Sequence, residues 1–383
     1  MPFQANASDQ TSGSFLGQQV QPAEQTGPSR AAHRPPRWWW SAIVVATTLS
    51  VLAGGIAGFG AAQLLDRGSS SVPQAALPPT GEDTVAVAER LLESTVTIAY
   101  RSNTTGGTGS GFVLDEQGHI VTNNHVIEGA AKGETQLMVE FTDGQRVPAR
   151  IIGRSPSYDL AVIKVERTDL KPVQLGDSAS VRPGQGVLAV GAPLGLGGSI
   201  TAGIVSAVDR PFGVGDDATS DDAVRTYING IQTDASINPG NSGGPLADAN
   251  GRVIGVNSAI LTLGGSANGS RSGNIGLGFA IPMDQAKIIA DEILRDGHAT
   301  YPVIGAAVSP NADGVRLSDV TAGGPAAAAG LRSGDIVLAV EDKPVDTPTD
   351  LIVRIRSHRP GESISLMIRD RGPVTVTLDA KVG

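Results

Sequence analysis

The longest apolar stretch of the chain lies near its start. No residue between Arg37 and Asp66 carries a formal charge, and Ser41 to Leu65 is mostly Ala, Val, Leu, Ile and Gly. That exceeds the roughly 20 residues needed to cross a bilayer, so the pattern predicts one transmembrane helix over 38–65. Trp38, Trp39 and Trp40 stand where an interfacial aromatic belt would lie, and Arg30, Arg34 and Arg37 precede the span. This bias puts the N-terminus in the cytoplasm. A cleaved signal peptide fits less well, because the polar lead is long and the apolar run exceeds about 7–15 residues. Residues 1–37 are polar, without apolar periodicity, and read as a disordered tail. Residues 66–83, with Ser69 to Ser71 and Pro73, Pro78 and Pro79, read as a flexible linker.

Beyond the linker, Thr84 to Glu93 has helical spacing. Short strand-like runs follow: Thr95–Tyr100, then Gly-rich turn residues, Gly111–Leu114, His119–Thr122, Leu137–Phe141, Arg146–Ile152, Leu160–Val165, Val187–Val190, Gly203–Val208, Val253–Asn257 and Gly278–Ile281. Such a series argues for a sandwich or barrel, not a βαβ sheet. Met283–Arg295 is amphipathic at helical period and closes this section. The pattern restarts after Gly297, with strands expected at Val303–Val308, Gly314–Val320, Ile336–Val340, Ile364–Arg369 and Val374–Leu378. Pro325–Gly330 and Thr349–Ser357 read as helices. A mainly β chain with domains at 84–297 and 298–383 is the expected organisation, the second being large enough to fold alone.

Composition narrows the function classes. A net charge of −9 with 17% charged residues gives no concentrated basic face for nucleic acid. There is no cysteine, which excludes disulfides, Cys-ligated zinc and thiol nucleophiles. No two of the five histidines are spaced i, i+4 as in a helical zinc site, so no metal is expected, and no cofactor is expected where side chains and backbone donors supply the chemistry. The 50 glycines and 4% aromatics favour short strands and tight turns.

A serine nucleophile needs a base, a group to orient that base, and donors for the oxyanion. Ser242 lies in Asn238-Pro239-Gly240-Asn241-Ser242-Gly243-Gly244-Pro245-Leu246, where glycines allow a sharp turn. The Gly240 and Ser242 amides can converge there on one oxygen. Among the histidines, His33 precedes the span, His298 and His358 lie at or beyond the last domain boundary, and His119 adjoins a hairpin turn and is expected to face solvent. His125 remains as the base. Asp143 and Asp177 sit beside glycine and read as turn formers. Asp159, at the lip of a buried strand, ranks above Asp234 as the orienting acid, with Asp234 still a rival.

Thr122-Asn123-Asn124-His125-Val126-Ile127, Asp159-Leu160-Ala161-Val162 and Gly240-Asn241-Ser242-Gly243-Gly244-Pro245-Leu246 resemble the three signature segments of the HtrA/Deg family of serine proteases. The resemblance covers about residues 84–383. It implies a chymotrypsin-like double β-barrel in which His125 is general base, Asp159 orients it and Ser242 attacks. It also implies an oxyanion hole from the Gly240 and Ser242 amides, and a specificity pocket floored by Ser236. The uncharged floor suits small aliphatic side chains, and Leu263–Asn274 is expected to form a mobile loop beside it. Gly324-Pro325-Ala326, Ala329-Gly330-Leu331 and Ser333-Gly334-Asp335 resemble the family's PDZ domain, which binds C-terminal peptides as an added strand, here near Ile304, Gly305 and Ala306. Misfolded proteins as substrates, envelope quality control and a homotrimer are further implications. A chaperone, or a peptide sensor with little proteolysis, is the alternative.

Overall fold

The computed structural model describes residues 82–101, 106–133, 135–192, 198–214, 226–258 and 276–383. The tail over 1–37, the span expected over 38–65, nearly all of the linker and the loop Leu263–Asn274 lie outside these residues. No helix among the described residues is long and apolar enough to cross a membrane. The described residues belong to one compact unit.

Helix α1 (Glu82–Glu93) begins two residues before the expected Thr84 and leads into the first barrel. Six strands close that barrel: β1 (Thr95–Arg101), β2 (Gly106–Val113), β3 (His119–Thr122), β4 (Leu137–Glu140), β5 (Arg146–Ser155) and β6 (Leu160–Val165), in the order β1-β2-β3-β6-β5-β4. Val96, Ile98, Ile120, Val139 and Ile163 alternate inward and fill its core.

The glycines at the start of β2 were expected in a turn, and the structure places them in the strand. Gly107, Gly109 and Gly111 occupy alternate positions and share one face. A Cβ on Gly109 would sit 2.6 Å from a Val126 methyl and 3.2 Å from the Ser242 carbonyl oxygen, and one on Gly111 would sit 2.8 Å from Ile98 and Ile120. The bare face of β2 therefore admits helix α2 (Asn124–Ala131) and the chain at Ser242. Helix α2 itself was not expected, since its Val126-Ile127 pair continues the β-branched run of β3.

The second barrel uses β8 (Gly186–Gly191), β9 (Ser199–Val214), β10 (Thr226–Thr233), β11 (Pro245–Asp248), β12 (Arg252–Ser258) and β13 (Gly278–Pro282). Their order is β11-β8-β9-β10-β13-β12, and pairing of β11 with β12 closes the ring. The short β7 (Gln174–Leu175) lies parallel to β12 outside it. Helix α3 (Met283–Asp296) follows β13, burying Met283, Ala286, Ile289, Ala290 and Ile293 on one face and ending at Gly297, φ 79°.

The C-terminal section starts with β14 (Thr300–Val303), which pairs with the last strand, β21 (Asp379–Val382). Between them β15 (Ala306–Asn311), β16 (Gly314–Val320), β17 (Ile336–Val340), β19 (Ser363–Ile368) and β20 (Gly372–Thr377) form an antiparallel sheet in that order, with β18 (Lys343–Pro344) on β17. Helix α4 (Pro325–Ala328) and helix α5 (Pro348–Arg356) accompany it. A capping box between Thr347 and Asp350 starts α5, with Pro348 at its first turn.

Gly109→Ala tests the close approach to β2. The added methyl should destabilise the chain by about 1–3 kcal/mol, read by thermal unfolding, because Val126 and the Ser242 backbone cannot both retreat.

Candidate active site

Asp159 ends the 3-10 turn Pro156–Tyr158 and takes the left-handed conformation, φ 52° and ψ 41°. For a residue with a side chain this costs about 1–2 kcal/mol, so its surroundings must hold it. They do so from several directions. The Asp159 amide donates to the Pro156 carbonyl at 3.2 Å, and the Asp159 carbonyl accepts from the Asn124 amide at 3.1 Å and from Asn123 Nδ2 at 2.9 Å. Thr226 Oγ1 donates to the Pro156 carbonyl at 2.7 Å.

The Asp159 carboxylate is thereby aimed at the N-terminus of α2. Its Oδ1 accepts from the His125 backbone amide at 3.0 Å, and both carboxylate oxygens lie 2.9 Å from His125 Nδ1. Asn123 occupies the N-cap position but makes no side-chain cap. The carboxylate of Asp159 takes over that role, where the helix dipole favours a negative charge. An ionised carboxylate only accepts, so the contact requires the proton on Nδ1 and leaves a lone pair on Nε2. The Asp159 side chain is 4% exposed and the imidazole 27%. A hydroxyl unforeseen in the sequence completes the group: Ser258 Oγ, buried on β12, donates to Asp159 Oδ2 at 3.5 Å.

Asp234 does not join this group. Its Oδ1 accepts from the Ile204 amide at 2.7 Å, which ties it to β9. Asp143 and Asp177 form turns as expected, accepting from the Gln145 amide and from the amides of Ala179 and Ser180. His119 departs from expectation. Instead of facing solvent freely, its Nδ1 lies 2.6 Å from Asp115 Oδ2, with the side chain 20% exposed.

Ser242 is brought to the same seam. The loop Gly240–Gly244 lies against β2 and the segment before α2. The Ser242 carbonyl accepts from the Ser110 amide at 2.8 Å, and the Gly240 carbonyl accepts from Ser110 Oγ at 2.6 Å. Ser110 Oγ also accepts from the Ala192 amide at 2.8 Å, and the Ser110 carbonyl accepts from Thr122 Oγ1 at 2.7 Å. Ser110 is fully buried and uses every polar group it has. One serine of the first barrel thus clamps both carbonyls that flank the Asn241 step of a second-barrel loop. Gly240 and Gly243 have φ 109° and 84°, conformations that a side chain would oppose. A Cβ on Gly243 would also meet the Asn123 amide nitrogen at 3.0 Å. Ser242 is 5% exposed.

Ser236 is half-buried, its carbonyl accepting from Thr201 Oγ1 at 2.9 Å and Asn241 Nδ2 at 3.3 Å. Ile304, Gly305 and Ala306 lie far from this centre in sequence, at the turn from β14 into β15. Gly305 has φ 69°, and its carbonyl accepts from the Thr321 amide at 2.9 Å. Together with Leu351 and Ile355 of α5 they border a cavity of about 490 Å³. β15 pairs with β16 on one edge and is the terminal strand of its sheet. No group of acidic and histidine side chains among the described residues is arranged to hold a metal ion.

Residues 109–256 match the trypsin-like peptidase domain family, and residues 302–382 match the PDZ domain family. The serine protease PepD of Mycobacterium tuberculosis is 38% identical over 360 residues, spanning 88% of this chain and 76% of PepD. A probable periplasmic serine endoprotease, DegP-like, from Halomonas elongata is 38% identical over 285 residues, which is 70% of this chain. The chain spans just over half, 56%, of that relative's length. Among solved structures, the HtrA-type protease AlgW with tripeptide superposes with a TM-score of 0.60 at 30% identity, covering 79% of this chain and 98% of AlgW. The serine endoprotease from Yersinia pestis gives 0.57 at 31% identity, over 79% and 99%. With both domains matched and PepD alike over three quarters of its length, the chain belongs to the HtrA family of serine proteases.

Proposed function

We propose that this protein is a membrane-anchored endopeptidase acting outside the cytoplasm, with Ser242, His125 and Asp159 as its catalytic triad. The observation that carries this is the Asp159 carboxylate seated on both the Nδ1 and the backbone amide of His125, beside the clamped Ser242 loop. His125 Nε2 takes the Ser242 proton as Oγ attacks the scissile carbonyl. Asp159 keeps the ring in the required tautomer and balances the imidazolium that forms. The Gly240 and Ser242 amides receive the oxyanion, in a loop whose Gly240 and Ser242 carbonyls are held by Ser110. His125 then protonates the leaving amine, and water releases the acyl group by the same route in reverse. The chain's own groups suffice for these steps.

Ser236 at the pocket floor brings no charge, and Asp234 nearby is engaged by Ile204, which supports cleavage after small aliphatic residues. The turn Ile304–Ala306, with the open edge of β15, suits a C-terminal peptide added as a strand, its carboxylate at the turn. The apolar stretch over 38–65 supports the anchor and the N-terminus-inside orientation, and the DegP-like relatives carry the word periplasmic in their names. Misfolded envelope proteins as substrates and assembly as a homotrimer belong to the same reading.

Casein hydrolysis by the wild type and by Ser242→Ala is the decisive comparison. The wild type should cleave, and the variant should lose at least about 10⁴-fold in kcat. Equal cleavage by both would remove Ser242 from the site. If neither cleaves, even with an activating C-terminal peptide, the peptide-sensor reading takes its place. A second expectation concerns the clamp. Ser110→Ala removes the donor to the Gly240 carbonyl and should lower kcat by about 10- to 100-fold while KM moves little, since the loss falls on transition-state geometry. A profile of cleaved peptides should show Val, Ala or Ile before the cut, and enrichment of Lys or Arg there would contradict an uncharged floor.

A further inference from the structure

Arg356 is the last residue of helix α5 in the C-terminal section, and its side chain is buried between Tyr301 of that section and Tyr158 and Tyr227 of the protease section. It is 9% exposed. Its guanidinium lies 4.3 Å from the ring centre of Tyr301, 5.1 Å from Tyr227 and 5.9 Å from Tyr158. Its Nη1 donates to the Ser157 carbonyl at 2.8 Å. Among the described residues, the titratable groups that act on it are those three tyrosines, none of them a carboxylate. Burial pushes the guanidinium below its ordinary pKa, and it pushes the Tyr158 phenol well above its own.

A buried cation without an anionic partner is costly, and an apolar residue of similar volume commonly serves packing as well or better. Three aromatic faces offset part of that cost. What the guanidinium adds over an apolar side chain is one directional hydrogen bond, and its acceptor is informative. The Ser157 carbonyl belongs to the 3-10 turn Pro156–Tyr158, whose next residue is Asp159 in its left-handed conformation. Thr226 of the second barrel fastens the Pro156 carbonyl of this turn, and Asn123 and Asn124 before the imidazole fasten the carbonyl of Asp159 that follows it. Arg356 is the fastening from the C-terminal section, through its guanidinium on the Ser157 carbonyl and through its own carbonyl, which accepts from the Tyr158 hydroxyl at 3.5 Å.

We propose that Arg356 is a positioning residue for Asp159, so that the C-terminal section supplies part of the geometry of the catalytic triad through the Ser157 carbonyl. This rests on the reading of Asp159 as the group that orients His125. Arg356 touches neither substrate nor reacting atoms. It holds the turn that fixes where the Asp159 carboxylate points, and a small misplacement of that carboxylate weakens its hold on the imidazole.

The test uses the full-length chain and four variants: Arg356→Met, Arg356→Lys, Lys343→Ala and Ser242→Ala. Lys343 is an exposed residue of the C-terminal section whose Nζ lies 3.2 Å from Asp209 of the protease section, far in sequence from the turn. Its loss loosens the junction without touching Ser157. Kinetics on a fluorogenic peptide, the rate of Ser242 labelling by a fluorophosphonate and thermal unfolding are measured together. Arg356→Met should lower kcat and the labelling rate by about 10- to 100-fold, with KM within about twofold. Arg356→Lys, which keeps the cation and one donor, should recover part of the loss, and Lys343→Ala should match the wild type. Wild-type kcat in a folded Arg356→Met variant overturns the proposal, as does an equal fall in Lys343→Ala. If Arg356→Met does not fold, Tyr301→Leu removes the nearest face of the cage, and the same two results decide. Activity retained by Ser242→Ala would instead defeat the triad reading itself, so the two failures are distinguishable.

Discussion

The site is built on one carboxylate that serves two partners. Asp159 accepts from the backbone amide that opens helix α2 and from the imidazole carried by that same residue. Helix α2 is only two turns long, and its N-cap residue makes no side-chain cap. Isolated, so short a helix is marginal. The charge that stabilises its start is the charge that fixes the imidazole, so helix position and ring orientation are set together. This explains the strained backbone at Asp159. The left-handed conformation brings carbonyl and carboxylate of one residue onto the same helix end, and extended backbone would separate them.

A second constraint is close backbone approach at the seam between the barrels. The Ser242 loop belongs to the second barrel, while its anchor Ser110, itself held by Thr122, belongs to the first. Hydrogen bonds of this kind form only where no side chain intervenes. Gly109 lets Val126 and the Ser242 backbone pass, and Gly244 faces Ser110 Cβ at 3.2 Å from where its own Cβ would stand. The abundance of glycine suggested turns. At β2 it marks a strand face kept bare so that another part of the chain can lie on it.

Much of the fold was legible in the sequence. Strands β3, β6, β16 and β17 have the bounds that their β-branched runs imply, and α3 follows its amphipathic period to within a residue. Where the reading fell short, a tertiary contact outweighed the local signal. β10 escaped notice because Asn229 and Gly230 interrupt its apolar run, although the strand is held between β9 and β13. β11 starts at Pro245, directly after paired glycines, and is a strand because β8 and β12 flank it. Local pattern ranked Asp159 above Asp234 but left Asp234 a rival, since each adjoins a strand. What separates them is partnership across the fold, with Ile204 on one side and His125 on the other. Ser258 and Ser110 had no signal of their own, being single hydroxyls in apolar surroundings whose partners lie far along the chain.

Helix α5 joins the two matched domains in a way that follows from its period. Leu351 and Ile355 are four apart and share one face, which lines the cavity beside Ile304–Ala306. Arg356, one residue on, is turned about 100° from Ile355 and reaches the tyrosine cage instead. The capping box and Pro348 fix the start of this nine-residue helix, leaving it little freedom to slide. A rigid two-faced helix cannot place its groove face independently of its docking face. The geometry of the candidate peptide groove and the seat of the Pro156–Tyr158 turn are therefore properties of a single element, and neither is set by the PDZ fold alone.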